Sequence, residues 1–205
     1  MVAIYFFGVK NNFQVLPELG FYPDQPFLNF GKNIITAPFL HVGTLHLIGN
    51  LYFFLIFAND VESHLRPVKF VLFIFLSIVM GAVFTSLLAY SEGIPHVGFS
   101  GVVSAILIFY ALQFRNTKIG FAFPYFNYIS IYPKSGESHR HLSLRWIRLP
   151  LWLVFIWWIG KELFLYFNYE QCGISAISHS GHLVGYLCGF ILWLLWGKKM
   201  KVSVK

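Results

Sequence analysis

The feature that most constrains this chain is a series of apolar runs, each close to the length that crosses a lipid bilayer and each bounded by polar or charged residues. They lie at Ile34–Ala58, Val68–Tyr90, Val97–Phe114, Leu149–Phe167 and Ile177–Trp196, which gives five expected spans. A hydrocarbon core about 30 Å thick takes roughly 20 residues of helix, and lipid offers no partner for free backbone groups. Composition agrees, with 57% of the 205 residues hydrophobic and 11% charged and a mean hydropathy of +0.65. Those values exclude an ordinary soluble domain. The expected fold class is therefore all-α, a polytopic transmembrane helix bundle forming one membrane domain over residues 1–205. A shorter run, Val2–Val9, reaches only ~12 Å as a helix. It either lies in the interface or is a first span cut short. Residues 1–20 carry neither the basic leader nor the small-residue cleavage site of a signal peptide.

The formal charge of +7 is explained by topology rather than by nucleic acid. Arg115, Lys118, Lys134, Arg140, Arg145 and Arg148 fall in one connection, and Lys198, Lys199, Lys201 and Lys205 fall in the tail. The positive-inside rule puts both clusters in the cytoplasm. Residues 115–148 are thus expected as a long cytoplasmic or interfacial loop, with 198–205 a basic cytoplasmic tail and 10–40, 91–96 and 168–178 outside. Aromatics in the long loop (Phe121, Phe123, Tyr125, Phe126, Tyr128, Tyr132) suit the headgroup layer of the inner leaflet. The partners this implies are the lipid bilayer and no nucleic acid. Cys172 and Cys188 would stand ~24 Å apart along a continuous helix, so both are expected to be free thiols.

Polar side chains at hydrocarbon depth are costly and mark functional or packing sites. They gather here in three places: His41, His46 and Asn50; Ser100 within Gly98-Phe99-Ser100-Gly101; and His179 and His182 within Ser-His-Ser-Gly-His. Ser100–Phe114 makes only ~22 Å of helix, so the serine must start below the outer surface. His182 lies a few residues into a span that enters from the same side. The expected pair is Ser100 as nucleophile and His182 as general base, which takes the hydroxyl proton and returns it to the leaving amine. Gly181, Gly185 and Gly189 recur at intervals of four, and Gly101 and Ala105 form a facing stripe, so the two helices can approach closely. The plainer reading is helix packing with a structural serine. His46 and Asn50 share one helix face and can donate to the negative oxygen of a tetrahedral intermediate. The plainer reading there is a polar pair bridging helices. His41 is expected to order water or the outer helix end.

Asp60 and Glu62 fall on the far side of the membrane from Ser100, and no acidic residue is expected beside the outer histidines, so a dyad is expected rather than a triad. The same reasoning, with the absence of H-E-x-x-H, argues against a metal site, and no cofactor is expected. Position 102 is valine, which also separates Gly98–Gly101 from the G-x-S-x-G elbow of soluble hydrolases.

Taken in order, His41-Val-Gly-Thr-Leu-His46-Leu-Ile-Gly-Asn50, Gly98-Phe99-Ser100-Gly101 and His182-Leu-Val-Gly185-Tyr-Leu-Cys-Gly189 resemble the motifs of rhomboid intramembrane serine proteases across about residues 25–197. The resemblance implies a six-helix core, a Ser100–His182 dyad, an oxyanion site served by His46 and Asn50, and cleavage of the transmembrane segments of other proteins near the outer face. It also implies a structural role for Glu62 in Asp60-Val-Glu62-Ser-His-Leu-Arg66. The chain departs from the family pattern at Phe30-Gly-Lys32, where a Trp-Arg pair is common, and at Ser104, where an aromatic often stacks on the catalytic histidine. The alternative from another class is an inactive relative that binds membrane proteins and steers their trafficking or degradation; such relatives typically lose the nucleophile or the base, and this chain retains both. A transporter is a third reading, weakened because the polar residues gather near one face instead of crossing the bilayer.

Overall fold

Pro67 opens a helix one residue after the preceding helix ends. Its fixed φ and missing N–H suit the first turn of a helix. In the computed structural model, which describes residues 15–88, 93–130, 138–170 and 178–197, a single residue, Arg66, with φ 67°, joins two helices of 22 residues each. In chain order the helices are α1 (Val15–Leu19), α2 (Lys32–Thr36), α3 (Thr44–Leu65), α4 (Pro67–Leu88), α5 (Ser100–Gln113), α6 (Leu151–Leu165) and α7 (His179–Trp196), with short 3-10 turns at Leu28–Gly31 and Ala37–Phe39. Both α3 and α4 are long and apolar enough to cross a membrane.

The expected span Ile34–Ala58 is displaced. Pro38 and the extended Gly43 (φ −166°, ψ 159°) interrupt the apolar run, so the long helix begins at Thr44 and continues through Asn59 and Asp60 to Leu65. Polar residues do not stop a helix once it has left the hydrocarbon. Residues 34–43 instead belong to the segment that precedes α3, which is folded on itself: Asn33 Nδ2 donates to Gly20 O at 2.7 Å and Thr36 Oγ1 to Leu19 O at 2.8 Å.

The loop expected at 115–148 is, over most of its length, an antiparallel hairpin of β1 (Lys118–Ser130) and β2 (Ser138–Pro150), paired from Lys118 opposite Pro150 to Ser130 opposite Ser138. Among the described residues the fold is thus mostly helical with one two-stranded sheet, which corrects the all-α expectation. The signal was in the sequence: Ile119, Phe121, Phe123 and Tyr125 alternate with Gly120, Ala122 and Pro124, a period of two rather than a featureless aromatic loop. Val2–Val9, Cys172 and the tail 198–205 lie outside the described residues. Cys188 is a buried free thiol.

At the centre stands α5, about 21 Å long at 1.5 Å per residue. It is buried nearly all round, with Val102 to Leu107 and Phe109 to Ala111 all inside, and it touches α3, α4, α6 and α7. A helix without a polar face needs neighbours on every side. The outer helices turn large apolar side chains outward, among them Leu45, Tyr52, Leu55, Val68, Val71, Trp152, Trp157, Phe190 and Leu194. So wide an apolar exterior belongs against lipid.

Candidate active site

The α5–α7 contact is built by absent side chains. A Cβ on Gly185 would run into the Gly101 carbonyl and stand 2.8 Å from Ser104 Cβ, and one on Gly189 would run into Ala105 O. At the outer end, a Cβ on Gly101 would rest 3.5 Å from Gly181 O. The first turns of α5 and α7 therefore lie together, with Ser100 beginning one and His179 and His182 in the other. Ser104 is buried under this contact, where a large ring would force the helices apart.

A second glycine joins α3 to this end of the bundle. Gly98 has φ +109°, and a Cβ there would meet the His46 ring at 2.5 Å (Cε1) and 2.8 Å (Nε2). His46 thus lies over the backbone two residues before Ser100. Gly98 N donates to Ala37 O at 3.0 Å, which ties the serine turn to the segment that precedes α3. Asn50 is engaged elsewhere: its Nδ2 donates to Nε2 of the buried His41 at 2.9 Å, and the His41 and His46 rings meet edge to face at 5.0 Å. His41 is therefore also a support behind the His46–Asn50 face. One N–H of the Asn50 amide remains beyond that bond.

The N-cap of α7 is Ser178, whose Oγ accepts from Gly181 N at 3.0 Å and lies 3.1 Å from His96 Nδ1. This cap sets His179 and His182 one turn apart on the side facing the end of α6. There they meet a carboxylate. Glu162 Oε2 lies 2.6 Å from His179 Nδ1 and 3.1 Å from His182 Nδ1, while Oε1 accepts from Lys161 Nζ at 2.7 Å. Glu162 is 2% exposed. This overturns the expectation that no carboxylate accompanies the outer histidines. Glu162 was legible as an acid inside the run Leu149–Phe167, and acids at that depth mark sites; what the sequence hid was its facing α7. His179, 5% exposed, is likewise buried and bonded to Glu162.

Ser100, Gly98, Gly101, Gly181 and Gly185 line an open cavity together with Ser77, Gly81 and Thr85 of α4. Ser100 thus borders open space at this end of the bundle. Among the described residues no hydrogen bond joins Ser100 to His182, whose Nδ1 turns to Glu162. Such bonds are often long before substrate binds. One possible ligand atom from each of Glu162, His179 and His182 lies within 4.8 Å of the other two, so this is also where a divalent cation could be held. The Lys161 ammonium on the other carboxylate oxygen opposes a second positive charge there.

Helices with apolar exteriors around a buried polar cluster define a helical membrane protein. Residues 31–199 match the family model of the Rhomboid domain, and the chain belongs to the rhomboid family. No curated protein matches the chain.

Proposed function

We propose that the chain is a multi-pass intramembrane serine endopeptidase that cuts transmembrane segments of other proteins, with its site opening to the non-cytoplasmic side. The observation that carries this reading is the convergence of three distant polar motifs at one end of the bundle, with His46 over Gly98 and Gly101 against Gly181. Ser100 Oγ attacks the substrate carbonyl while its proton passes to His182 Nε2, and the C–O bond forms as the carbonyl π pair moves to oxygen. His46, with the remaining Asn50 N–H, donates to that oxygen. Collapse breaks the C–N bond, and the His182 imidazolium gives its proton to the leaving amine. Water then repeats the sequence on the acyl-enzyme and frees Ser100. A substrate helix must unwind to reach Ser100, so helix-weakening Gly or Pro near the cut lowers the cost.

The test is labelling of the purified protein by a serine-reactive fluorophosphonate, alongside cleavage of a transmembrane substrate. Native protein should label and cut; Ser100→Ala and His182→Ala should do neither while inserting and purifying normally. Cleavage retained by either variant sinks the assignment, and a native protein that neither labels nor cuts favours the inactive, binding relative.

A further inference from the structure

We propose that Glu162 is the positioning carboxylate of this site, which converts the expected Ser–His dyad into a Ser100–His182–Glu162 relay with His179 as a second strut on the same oxygen. The inference rests on the protease reading and goes beyond it, since it concerns what orients the base.

A histidine acts as base only through an unprotonated nitrogen aimed at the nucleophile, and the group bonded to its other nitrogen decides which one that is. With Glu162 Oε2 3.1 Å from Nδ1, the neutral His182 ring carries its proton on Nδ1 and leaves Nε2 free for the Ser100 hydroxyl. When His182 takes that proton, the charge it gains faces a buried carboxylate, where the attraction is stronger than in bulk water. Glu162 does not itself accept the proton.

The carboxylate is held against rotation. His179 Nδ1 donates to the same Oε2 at 2.6 Å, and Lys161 Nζ binds Oε1 at 2.7 Å. Lys161 is 38% exposed in its side chain and lies 5.9 Å from the Trp158 ring centroid, so its charge reaches toward the outside while offsetting the buried carboxylate. A buried anion without such partners is prohibitively costly. With three donors it becomes a fixed point on α6 to which the first turn of α7 is tied.

The test compares native enzyme with Glu162→Gln and Glu162→Asp, reading kcat and KM for a transmembrane substrate, the rate of fluorophosphonate labelling and the thermal melt of each purified protein. Glu162→Gln keeps the shape and loses the charge. It should lower kcat by about 10²- to 10⁴-fold, with KM within a few-fold of native. Glu162→Asp should recover part of the loss. Should the glutamine variant prove unstable, the aspartate variant, read for kcat at a native melting temperature, carries the same test. Native labelling kinetics in Glu162→Gln, or a loss tracking the melt and not rescued by aspartate, overturns the relay and leaves the protease reading intact. Loss of native activity on chelation, restored by zinc, also overturns it and makes the cluster a metal site. Absence of labelling in the native protein instead removes the reading on which the relay stands.

Discussion

At the scale of single residues, glycines matter as much as the groups that carry chemistry. Gly98 is required twice, by its φ of +109° and by the His46 ring over its Cα. Alanine there adds backbone strain of about 1–3 kcal/mol and pushes away the His46 ring, the proposed oxyanion donor. Gly98→Ala should therefore insert normally but lose most of its kcat, measured on a transmembrane substrate; a variant with native kcat would show that His46 does not serve the reaction. His179 and His182 share one carboxylate oxygen, yet only His182 is proposed as base. His179→Ala should cost less than about ten-fold in kcat, since Glu162 keeps Lys161 and His182, whereas removal of the base is expected to abolish turnover. The opposite result would exchange the two roles.

At the scale of elements, the α5–α7 seam brings together the two first turns that carry the proposed nucleophile and base. Helices in lipid associate through close packing rather than hydrophobic exclusion, so a methyl in the seam is felt directly. Gly185→Ala meets the Gly101 carbonyl, while a Cβ at Gly160 meets nothing within 4 Å. Gly185→Ala should cost about 1–3 kcal/mol, visible as a lowered melting temperature in detergent, with activity falling as the seam opens. Gly160→Ala should stay within about 0.5 kcal/mol of native. Equal effects at the two sites would mean the seam does not hold the bundle. The 115–148 connection is set by a different local signal: large and small residues alternate with period two from Ile119 to Tyr125, and the segment pairs as a hairpin.

At the scale of the whole molecule, the basic clusters predict that β1 and β2 lie inside and the α4–α5 connection outside. In a protein lacking Cys172, cysteine at the exposed Ile94 should react with a membrane-impermeant maleimide added to intact cells. Cysteine at the exposed Arg148 should react only after the membrane is broken; the reverse pattern would invert the proposed orientation. The sequence by itself determined that the chain builds apolar helices and that glycine stripes would join two of those helices, and it singled out the serine, histidines and asparagine that are proposed as the site. It could do so because the cost of polar groups in lipid and the periodicity of small residues are local properties of a segment. Tertiary structure alone decided that Asn50 holds His41, that His46 lies over Gly98, and that Glu162 of α6 reaches the histidines of α7. Those facts depend on how helices distant in sequence are rotated about their axes, and a side chain's hydrogen-bond partner across a helix pair is set by that rotation rather than by any spacing along the chain.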